Sequence, residues 1–158
     1  MTPWSEIVLL AFDIDGTLTD GTTWWGGDGV GWVQRYSVRD GEAILRLKRR
    51  LHVVPVSKNQ TATAAERVAQ LGLDGRWMGI ADKLEAMRQV CREYSVDARR
   101  VLFVGDGPDD APVFALVGLG CAVADAHPVA GRAAHVVLQS RGGDRVIEEI
   151  EARLGGEV

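Results

Sequence analysis

Two aspartates, Asp13 and Asp15, follow an uninterrupted apolar run near the start of the chain, Ile7–Phe12. Such a run is typical of a strand buried on both faces of a parallel sheet, and ligands bind at the carboxyl ends of such strands. Carboxylates at that position can attack phosphorus, transfer protons or bind a divalent cation. The pair therefore predicts a metal-assisted, carboxylate-centred phosphoryl-transfer site.

Polar residues also follow the next two apolar runs. Ser57 ends the second run, and Asp106, Asp109 and Asp110 follow the third. Lys83 lies in the first turn of a predicted helix, where a cation opposes the helix dipole unless an anion pairs with it. Because the carboxyl ends of parallel strands lie at one edge of a sheet, we expect these side chains to converge on the first two aspartates.

Each of these residues also has an ordinary structural interpretation. The Asp–Gly pairs could form turns, Ser57 could cap a helix, and Lys83 could lie on a solvated helix face. Together these explanations fail, because they do not account for polar residues at every strand end in this order. For Asp109 a solvated turn acid is the better interpretation. The three histidines are too scattered for a metal cluster.

Strands and helices alternate along the chain, which predicts an α/β fold with three layers and a Rossmann-like, mainly parallel sheet. Asp40 is the expected N-cap of the first helix, and Thr63 with Glu66 has the form of a capping box. Since no internal repeat or linker is present, residues 1–158 are predicted to form a single domain.

A predicted β-hairpin flap occupies residues 20–37. Two β-prone runs, Thr22–Trp25 and Trp32–Tyr36, flank the glycine-rich sequence GGDGVG. Three of the five tryptophans fall here: Trp24, Trp25 and Trp32. A lone hairpin that exposed them would be marginally stable in water, so we expect it to pack against another subunit or to close over the site.

Composition excludes several functional classes. The net charge of −4 argues against a nucleic-acid partner, which usually requires a basic face. No apolar run is long enough to span a bilayer, and the N-terminal residues lack the basic start of a secretory signal. Cys91 and Cys121 have no metal or redox spacing and are expected to be reduced core thiols. A cytoplasmic protein without membrane or nucleic-acid partners is predicted.

The order DxDGT, Ser, Lys and GDxxxD resembles the haloacid dehalogenase-like phosphohydrolase superfamily. The resemblance implies that Asp13 is a nucleophile that forms an aspartyl-phosphate, and that Asp15 acts first as general acid and then as general base. It implies a Mg²⁺ ion held by Asp13, by the backbone carbonyl of Asp15 and by Asp106.

The same resemblance implies roles for three further residues. Ser57 and Lys83 would bind the phosphoryl oxygens, whose charge changes in the transition state. Asp110, the last acid of GDxxxD, would position Lys83 or a metal-bound water.

The intervals between the motifs leave no room for a cap domain. DIDGTLTDG, YSVRDG (Tyr36–Gly41), RVAQLGL (Arg67–Leu73), the DK pair at Lys83 and RGG (Arg141–Gly143) are similar to the capless, tetrameric branch that includes the 3-deoxy-D-manno-octulosonate 8-phosphate phosphatases. In that branch the hairpin builds the subunit interface and shields a neighbouring site. The resemblance therefore implies a homotetramer held partly by the hairpin tryptophans.

Two departures limit the substrate prediction. First, Ser57-Lys58-Asn59 replaces the Thr-Gly-Arg of the octulosonate phosphatases and looks nearer to the corresponding sequence of acylneuraminate 9-phosphate phosphatase-like domains. Second, Gly107 stands where another Asp is common in this branch. The expected substrate is a phosphorylated acidic sugar of the octulosonate 8-phosphate or nonulosonate 9-phosphate type. The predicted contacts for its carboxylate are the cations Lys58, Arg67 and Arg141. For Arg67 a helix-surface ion pair is an equal alternative.

Two other functions compete with a sugar-phosphate phosphatase. A catalytically weak or silent module could act through protein interaction at its tryptophan-rich hairpin. A mutase would transfer the phosphoryl group to another acceptor, but mutases need a cap that excludes water, and the chain is too short for one.

Overall fold

The computed structural model describes residues 2–155, and its centre is a five-stranded parallel sheet in the order β4-β1-β5-β6-β7. The strands of the described chain are β1 Leu9–Phe12, β2 Trp24–Trp25, β3 Trp32–Val33, β4 His52–Pro55, β5 Val101–Gly105, β6 Leu119–Ala122 and β7 Val136–Val137. The helices are α1 Val38–Leu47, α2 Ala62–Gln70, α3 Lys83–Glu93, α4 Ala111–Leu116, α5 Pro128–Ala133 and α6 Val146–Arg153.

Strand β1 lies in the interior of the sheet, hydrogen-bonded to β4 on one side and to β5 on the other. Its last residue, Phe12, is in register with Pro55 and Val104, so all three strands end at the same level. The chain runs from β1 to one neighbour and later returns to the other. This reversal leaves a crevice at the carboxyl end of β1, where ligands bind in open α/β sheets.

The sheet is covered on both faces, because successive β1 side chains point to opposite sides. Leu10 and Phe12 pack in one core with α1 and α6, and Leu9 and Ala11 pack in the other with α3 and α4. The five residues Leu9, Leu10, Ala11, Phe12 and Ile14 are fully buried. The predicted three-layer, mainly parallel α/β architecture is confirmed.

Two helix starts differ from the sequence prediction. Ser37, not Asp40, caps α1, since its Oγ accepts from the Asp40 N–H at 3.2 Å. Thr61, not the Thr63 box, caps α2. The prediction of Asp40 as an N-cap of α1 was wrong because this buried carboxylate instead accepts from the backbone of the C-terminal helix, at 2.8 Å from Ile147 N.

The hairpin of β2 and β3 forms as predicted, with Trp25 opposite Trp32. About half of the surface of each hairpin tryptophan is exposed. Thr63 Oγ1 donates to Trp32 O at 2.7 Å and joins the hairpin to α2. Between residues 2 and 155 no cap domain is inserted, and no helix there has the length and apolar character needed to cross a membrane. The single-domain assignment stays a prediction.

Candidate active site

Asp13 lies at the carboxyl end of β1 and is only 7% exposed. Its backbone N–H donates to Val104 O at 3.0 Å, which continues the pairing of β1 with β5. Its Oδ1 accepts from Ile14 N at 2.7 Å, and its Oδ2 accepts from Lys83 Nζ at 2.5 Å. The side chain is therefore held by the sheet end and by a buried cation.

Lys83 is the first residue of α3 and is 5% exposed. Besides Asp13, its ammonium donates to Asp110 Oδ1 at 2.7 Å. Burial lowers the pKa of Lys83, but the two carboxylates outweigh burial and the pKa lies above its ordinary value. The cost of a cation at a helix N-terminus is thus offset by two buried anions, and the interpretation of Lys83 as a solvated helix residue was wrong.

Asp106 follows β5 and completes a cluster of three acids with Asp13 and Asp110. One carboxylate oxygen from each lies within 4.8 Å of the others. Burial, then repulsion by Asp13 and Asp110, raises the pKa of Asp106 to about 7. Burial also raises the pKa of Asp13 to about 6, against the opposing effect of Lys83. Both shifts follow first from burial, and repulsion among the three carboxylates adds to it.

This cluster fits a hard divalent cation. Asp110 Oδ1 is used by Lys83, and its Oδ2 accepts from the N–H groups of Asp106 and Gly107 at 2.9 Å. Asp110 thus fixes the Lys83 side chain and the loop that follows β5. Among residues 2–155 no donor hydrogen-bonds to the Asp106 side chain, and each Asp13 oxygen accepts a single hydrogen bond, so both carboxylates keep lone pairs for a ligand. Oxygen ligands of this kind suit Mg²⁺, which keeps several waters and needs few carboxylates.

Ser57 lies just beyond β4 and is fully buried. Its backbone N–H donates to Trp77 O at 3.0 Å, and its carbonyl accepts from Ile80 N at 2.9 Å. These bonds fix the residue at the same sheet edge as Asp13. Its Oγ accepts from the Asn59 N–H at 3.2 Å, and Ser57 caps no helix of the described chain.

Asp15 points to a different set of partners. Its Oδ1 accepts from Gln34 Nε2, just after β3, and from Asn59 Nδ2 at 2.9 Å. Gln34 and Asn59 are not among the site residues predicted from the sequence. Neither stands at a strand end of the main sheet, and their only signal was proximity to the predicted flap and to Ser57. The Asp15 side chain does not join the three-acid cluster, which leaves its backbone carbonyl as the predicted metal contact.

Glycine is required where the first turn meets the rest of the site. Gly16 has φ +75°, and a Cβ there would overlap the Asp106 carboxylate. A Cβ on Gly142 would overlap the carbonyl of Gly16. Gly143 N donates to Thr17 O at 2.9 Å. The RGG segment therefore packs directly on the backbone that carries Asp15.

The three predicted carboxylate contacts lie in different surroundings. Lys58 is exposed and forms an ion pair with Asp109, which is also exposed, as predicted. Arg141 is exposed, with its Nε 3.5 Å from Asp125 Oδ2.

Arg67 is half-buried. Its guanidinium lies over the Tyr36 ring and donates to Gln70 Oε1 at 2.7 Å. Among the residues described, Arg67 has no ion-pair partner, so the alternative of a helix-surface ion pair was wrong. Its contact with a substrate stays a prediction.

A cavity of about 470 Å³ opens beside Asp15. It is lined by Asp15, Gly21, Thr23, Trp32, Gln34, Asn59, Gln60 and Thr61. Asp15 is the only charged residue of this lining, and the rest are hydroxyl, amide, glycine and indole groups. The hairpin therefore lines the site of its own chain.

Known hydrolases resemble this chain in sequence and in fold. A family model described as haloacid dehalogenase-like hydrolase matches residues 79–150. The 3-deoxy-D-manno-octulosonate 8-phosphate phosphatase of Yersinia pestis is 33% identical over 147 residues, which is 92% of this chain and 78% of that protein. A crystal structure of that phosphatase from the same organism has a TM-score of 0.88 at 30% identity, over 96% of this chain and 82% of that one.

The cobalt-bound form of the deoxy-D-mannose-octulosonate 8-phosphate phosphatase from Haemophilus influenzae is also similar. Its TM-score is 0.86 at 29% identity, and the match covers 96% of this chain and 91% of that one.

Proposed function

We propose that this chain, which belongs to the haloacid dehalogenase-like hydrolases, removes phosphate from a phosphorylated acidic sugar. The observation that carries the proposal is the contact of buried Lys83 with both Asp13 and Asp110 at the end of the central strand. A buried cation held between carboxylates can neutralise phosphoryl oxygens and orient a carboxylate nucleophile. The relatives named above act on an octulosonate 8-phosphate, which is a substrate of this class.

The reaction proceeds in two displacements. An oxygen of Asp13 attacks phosphorus, the bond from phosphorus to the sugar oxygen breaks, and Asp15 gives that oxygen its proton. Asp15, now a carboxylate, takes a proton from water, which attacks the phosphorus of the Asp13-phosphate and releases inorganic phosphate. Lys83 and Ser57 hold phosphoryl oxygens in both steps, and Asp110 positions Lys83.

Asp13, Asp106 and the backbone carbonyl of Asp15 would hold Mg²⁺. The ion would neutralise the acids and the phosphate dianion and so orient the phosphoryl group. The raised pKa values of Asp13 and Asp106 support this assignment, since mutual repulsion favours either protonation or a bound cation.

The sugar is of the octulosonate 8-phosphate or nonulosonate 9-phosphate type. Lys58 and Arg141 are the exposed cations available to its carboxylate, and the side chain of Arg67 would have to leave Gln70 to reach it. The cytoplasmic location and the absence of a nucleic-acid partner stay predictions.

The proposed assembly is a homotetramer in which the hairpin forms part of the interface. Trp24 and Trp25 support it, since about half of each side chain is exposed on a two-stranded ribbon. Isolated ribbons of this size are stabilised by packing against further structure.

The proposal is tested by phosphate release from acidic and neutral sugar phosphates, with and without Mg²⁺. Asp13→Asn keeps the shape of the side chain and removes the nucleophile, so turnover is expected to fall by about 10⁴-fold or more. Asp97→Asn, at an exposed aspartate, serves as the matched control and is expected to retain activity. Full turnover by Asp13→Asn would show that the mechanism is wrong.

If the wild-type protein releases phosphate from no sugar phosphate and binds a protein partner stably, the catalytically silent interaction module is favoured instead.

A further inference from the structure

The hydrogen-bonded network around Asp15 joins three separate parts of the chain. Gln34 comes from the end of the hairpin, Asn59 from the loop after β4, and Thr61 from the N-terminus of α2. Gln34 and Asn59 both direct amide N–H groups to the same atom, Asp15 Oδ1. Among residues 2–155 no donor hydrogen-bonds to Asp15 Oδ2.

The orientation of the Asn59 amide is fixed by its other contacts. Its Oδ1 accepts from the backbone N–H of Thr61 at 2.9 Å and from Thr61 Oγ1 at 2.7 Å. A backbone N–H can only donate, so Asn59 must present oxygen to Thr61 and Nδ2 to Asp15.

The Gln34 amide is fixed in the same way. Its Oε1 accepts from Asn59 Nδ2 at 2.9 Å and from the Tyr36 hydroxyl at 3.3 Å. Burial and the nearby Asp15 raise the pKa of Tyr36 to about 12, so this hydroxyl keeps its proton and donates. The remaining group, Nε2, therefore faces Asp15.

We propose that Gln34 and Asn59 are positioning residues for the proton-transfer group Asp15, holding one of its carboxylate oxygens so that the other is left to exchange a proton with the substrate. The inference rests on the proposed function, since it assumes the acid–base role of Asp15. It adds that the hairpin of the same chain helps to set the geometry of proton transfer. A hairpin displaced from α2 would leave Asp15 with the single anchor Asn59.

Two nearly isosteric substitutions remove the donors. Asn59→Asp keeps the acceptor for Thr61 and so keeps the turn before α2, but it places a carboxylate oxygen against Asp15. Gln34→Glu does the same from the hairpin. If these residues only shaped the loop and the hairpin, both variants would behave like the wild type.

The discriminating measurement is release of the sugar or of p-nitrophenol in a single turnover with enzyme in excess, because this release reports the first displacement alone. The sugar leaves as an alkoxide and needs the proton of Asp15. The other leaving group, p-nitrophenolate, is a stable anion and does not need that proton. We expect both variants to cleave the sugar phosphate about 10- to 100-fold more slowly and p-nitrophenyl phosphate at close to the wild-type rate. Steady-state turnover should show the loss in kcat rather than in KM.

Gln89→Ala, on the exposed face of α3, is the control and should match the wild type on both esters. Circular dichroism and thermal unfolding confirm that each variant is folded. Equal losses on the two esters, or no loss on either, would overturn the positioning role. A wild-type enzyme that releases phosphate from no sugar phosphate would overturn the proposed function, and the positioning role with it.

Discussion

The proposed active site has a charged side and an amide side, which differ in composition and in the elements that carry them. The charged side is Asp13, Lys83, Asp106 and Asp110, placed at the ends of the interior strands β1 and β5 and at the start of α3. The amide side is Trp32, Gln34, Asn59 and Thr61, placed on the hairpin and the loop after β4.

The difference separates the groups proposed to carry out phosphoryl transfer from the groups that anchor Asp15 and line the cavity. The charged groups are held by paired strands of the sheet, where a shift would disturb both cores. The neutral groups lie on two-residue strands and a loop, where substitutions affect few other contacts. A substitution of a lining residue whose side chain does not bond Asp15, such as Trp32, can therefore change the shape of the cavity while the proposed phosphoryl-transfer groups stay in place.

The largest effect is expected from breaking the charged side. Lys83→Met removes the ammonium and leaves Asp13 and Asp110 buried without their cation. We expect the free energy of unfolding to fall by about 3–5 kcal/mol and kcat by at least about 10²-fold. Urea unfolding and phosphate release measure the two effects.

Lys48→Met is the matched control, since among residues 2–155 the Lys48 ammonium hydrogen-bonds only to two carbonyls just after α2, Leu71 O and Gly72 O. A loss of about 1 kcal/mol with normal turnover is expected. Equal behaviour of the two variants would remove the distinction between the charged cluster and an ordinary surface lysine.

The next effect concerns Mg²⁺ and pH. The folded-state pKa values of Asp13 (about 6) and Asp106 (about 7) lie above the ordinary 3.8, so the folded protein binds more protons than the unfolded chain between these values. Stability of the metal-free protein should therefore fall as pH rises through this window. Protons and Mg²⁺ compete for the same oxygens, so Mg²⁺ should stabilise the protein more at about pH 8 than at about pH 5.

Thermal unfolding with and without Mg²⁺ at these two pH values measures the difference. At a concentration 100 times the Kd the stabilisation is about 2.7 kcal/mol, and each kcal/mol raises Tm by about 2–4 °C in a chain of this size. Asp106→Asn should abolish the Mg²⁺-dependent increase. An increase of equal size at both pH values would contradict the assignment.

A smaller effect on chemistry is expected from the hairpin. Replacing both Trp24 and Trp25 with Ser should weaken the proposed tetramer, raising its dissociation constant by at least about tenfold, since aromatic side chains dominate interface energies. Light scattering at micromolar concentration measures the mass, and Leu45→Ser, at another exposed apolar residue, is the control. Mg²⁺ binding by the charged side should be unchanged. A monomeric wild-type protein would rule out the proposed assembly.

The smallest effect is expected at Asp40, a buried carboxylate outside the site that gives a reference for the charged side. It caps α6 through Ile147 and Glu148, and burial raises its pKa above 3.8. Asp40→Ala should cost about 1–2 kcal/mol, whereas Asp40→Asn keeps the acceptor and should cost less.

The pH dependence of stability gives a second test at Asp40. Because the folded-state pKa of Asp40 is raised, its carboxylate lowers stability as pH rises above 3.8. Urea unfolding at about pH 4 and about pH 8 should therefore favour Asp40→Asn over the wild type more at the higher pH. An opposite trend would indicate that the backbone donors of α6 outweigh burial.

The convergence of the charged side could be expected from the sequence because its groups stand at the ends of regular elements, whereas their roles stay predictions. Asp13 and Asp106 follow apolar runs, and Lys83 opens a helix, so topology alone brings them to one edge. The resemblance to a known family implied the role of each of these residues. The fold class followed from the alternation of strands and helices.

The amide side could not be predicted in the same way. Gln34 and Asn59 meet only because the hairpin folds back over α2, which a local pattern does not encode. Asp40 shows the same limit, since its sequence position suggests a cap for α1 and its tertiary partner is α6, more than one hundred residues away in the chain. Neutral polar residues in irregular segments depend on long-range placement rather than on periodicity.

The contact of Gly142 with Gly16 has a consequence for how the protein becomes active during synthesis. The turn that carries Asp15 is supported by a segment more than one hundred residues later in the sequence, so the turn lacks that support until α6 is about to form. Domains fold as their residues emerge, and contacts of high sequence separation form late. A nascent chain that already has Asp13, Ser57 and Lys83 is therefore expected to remain without ordered catalysis until the RGG segment arrives.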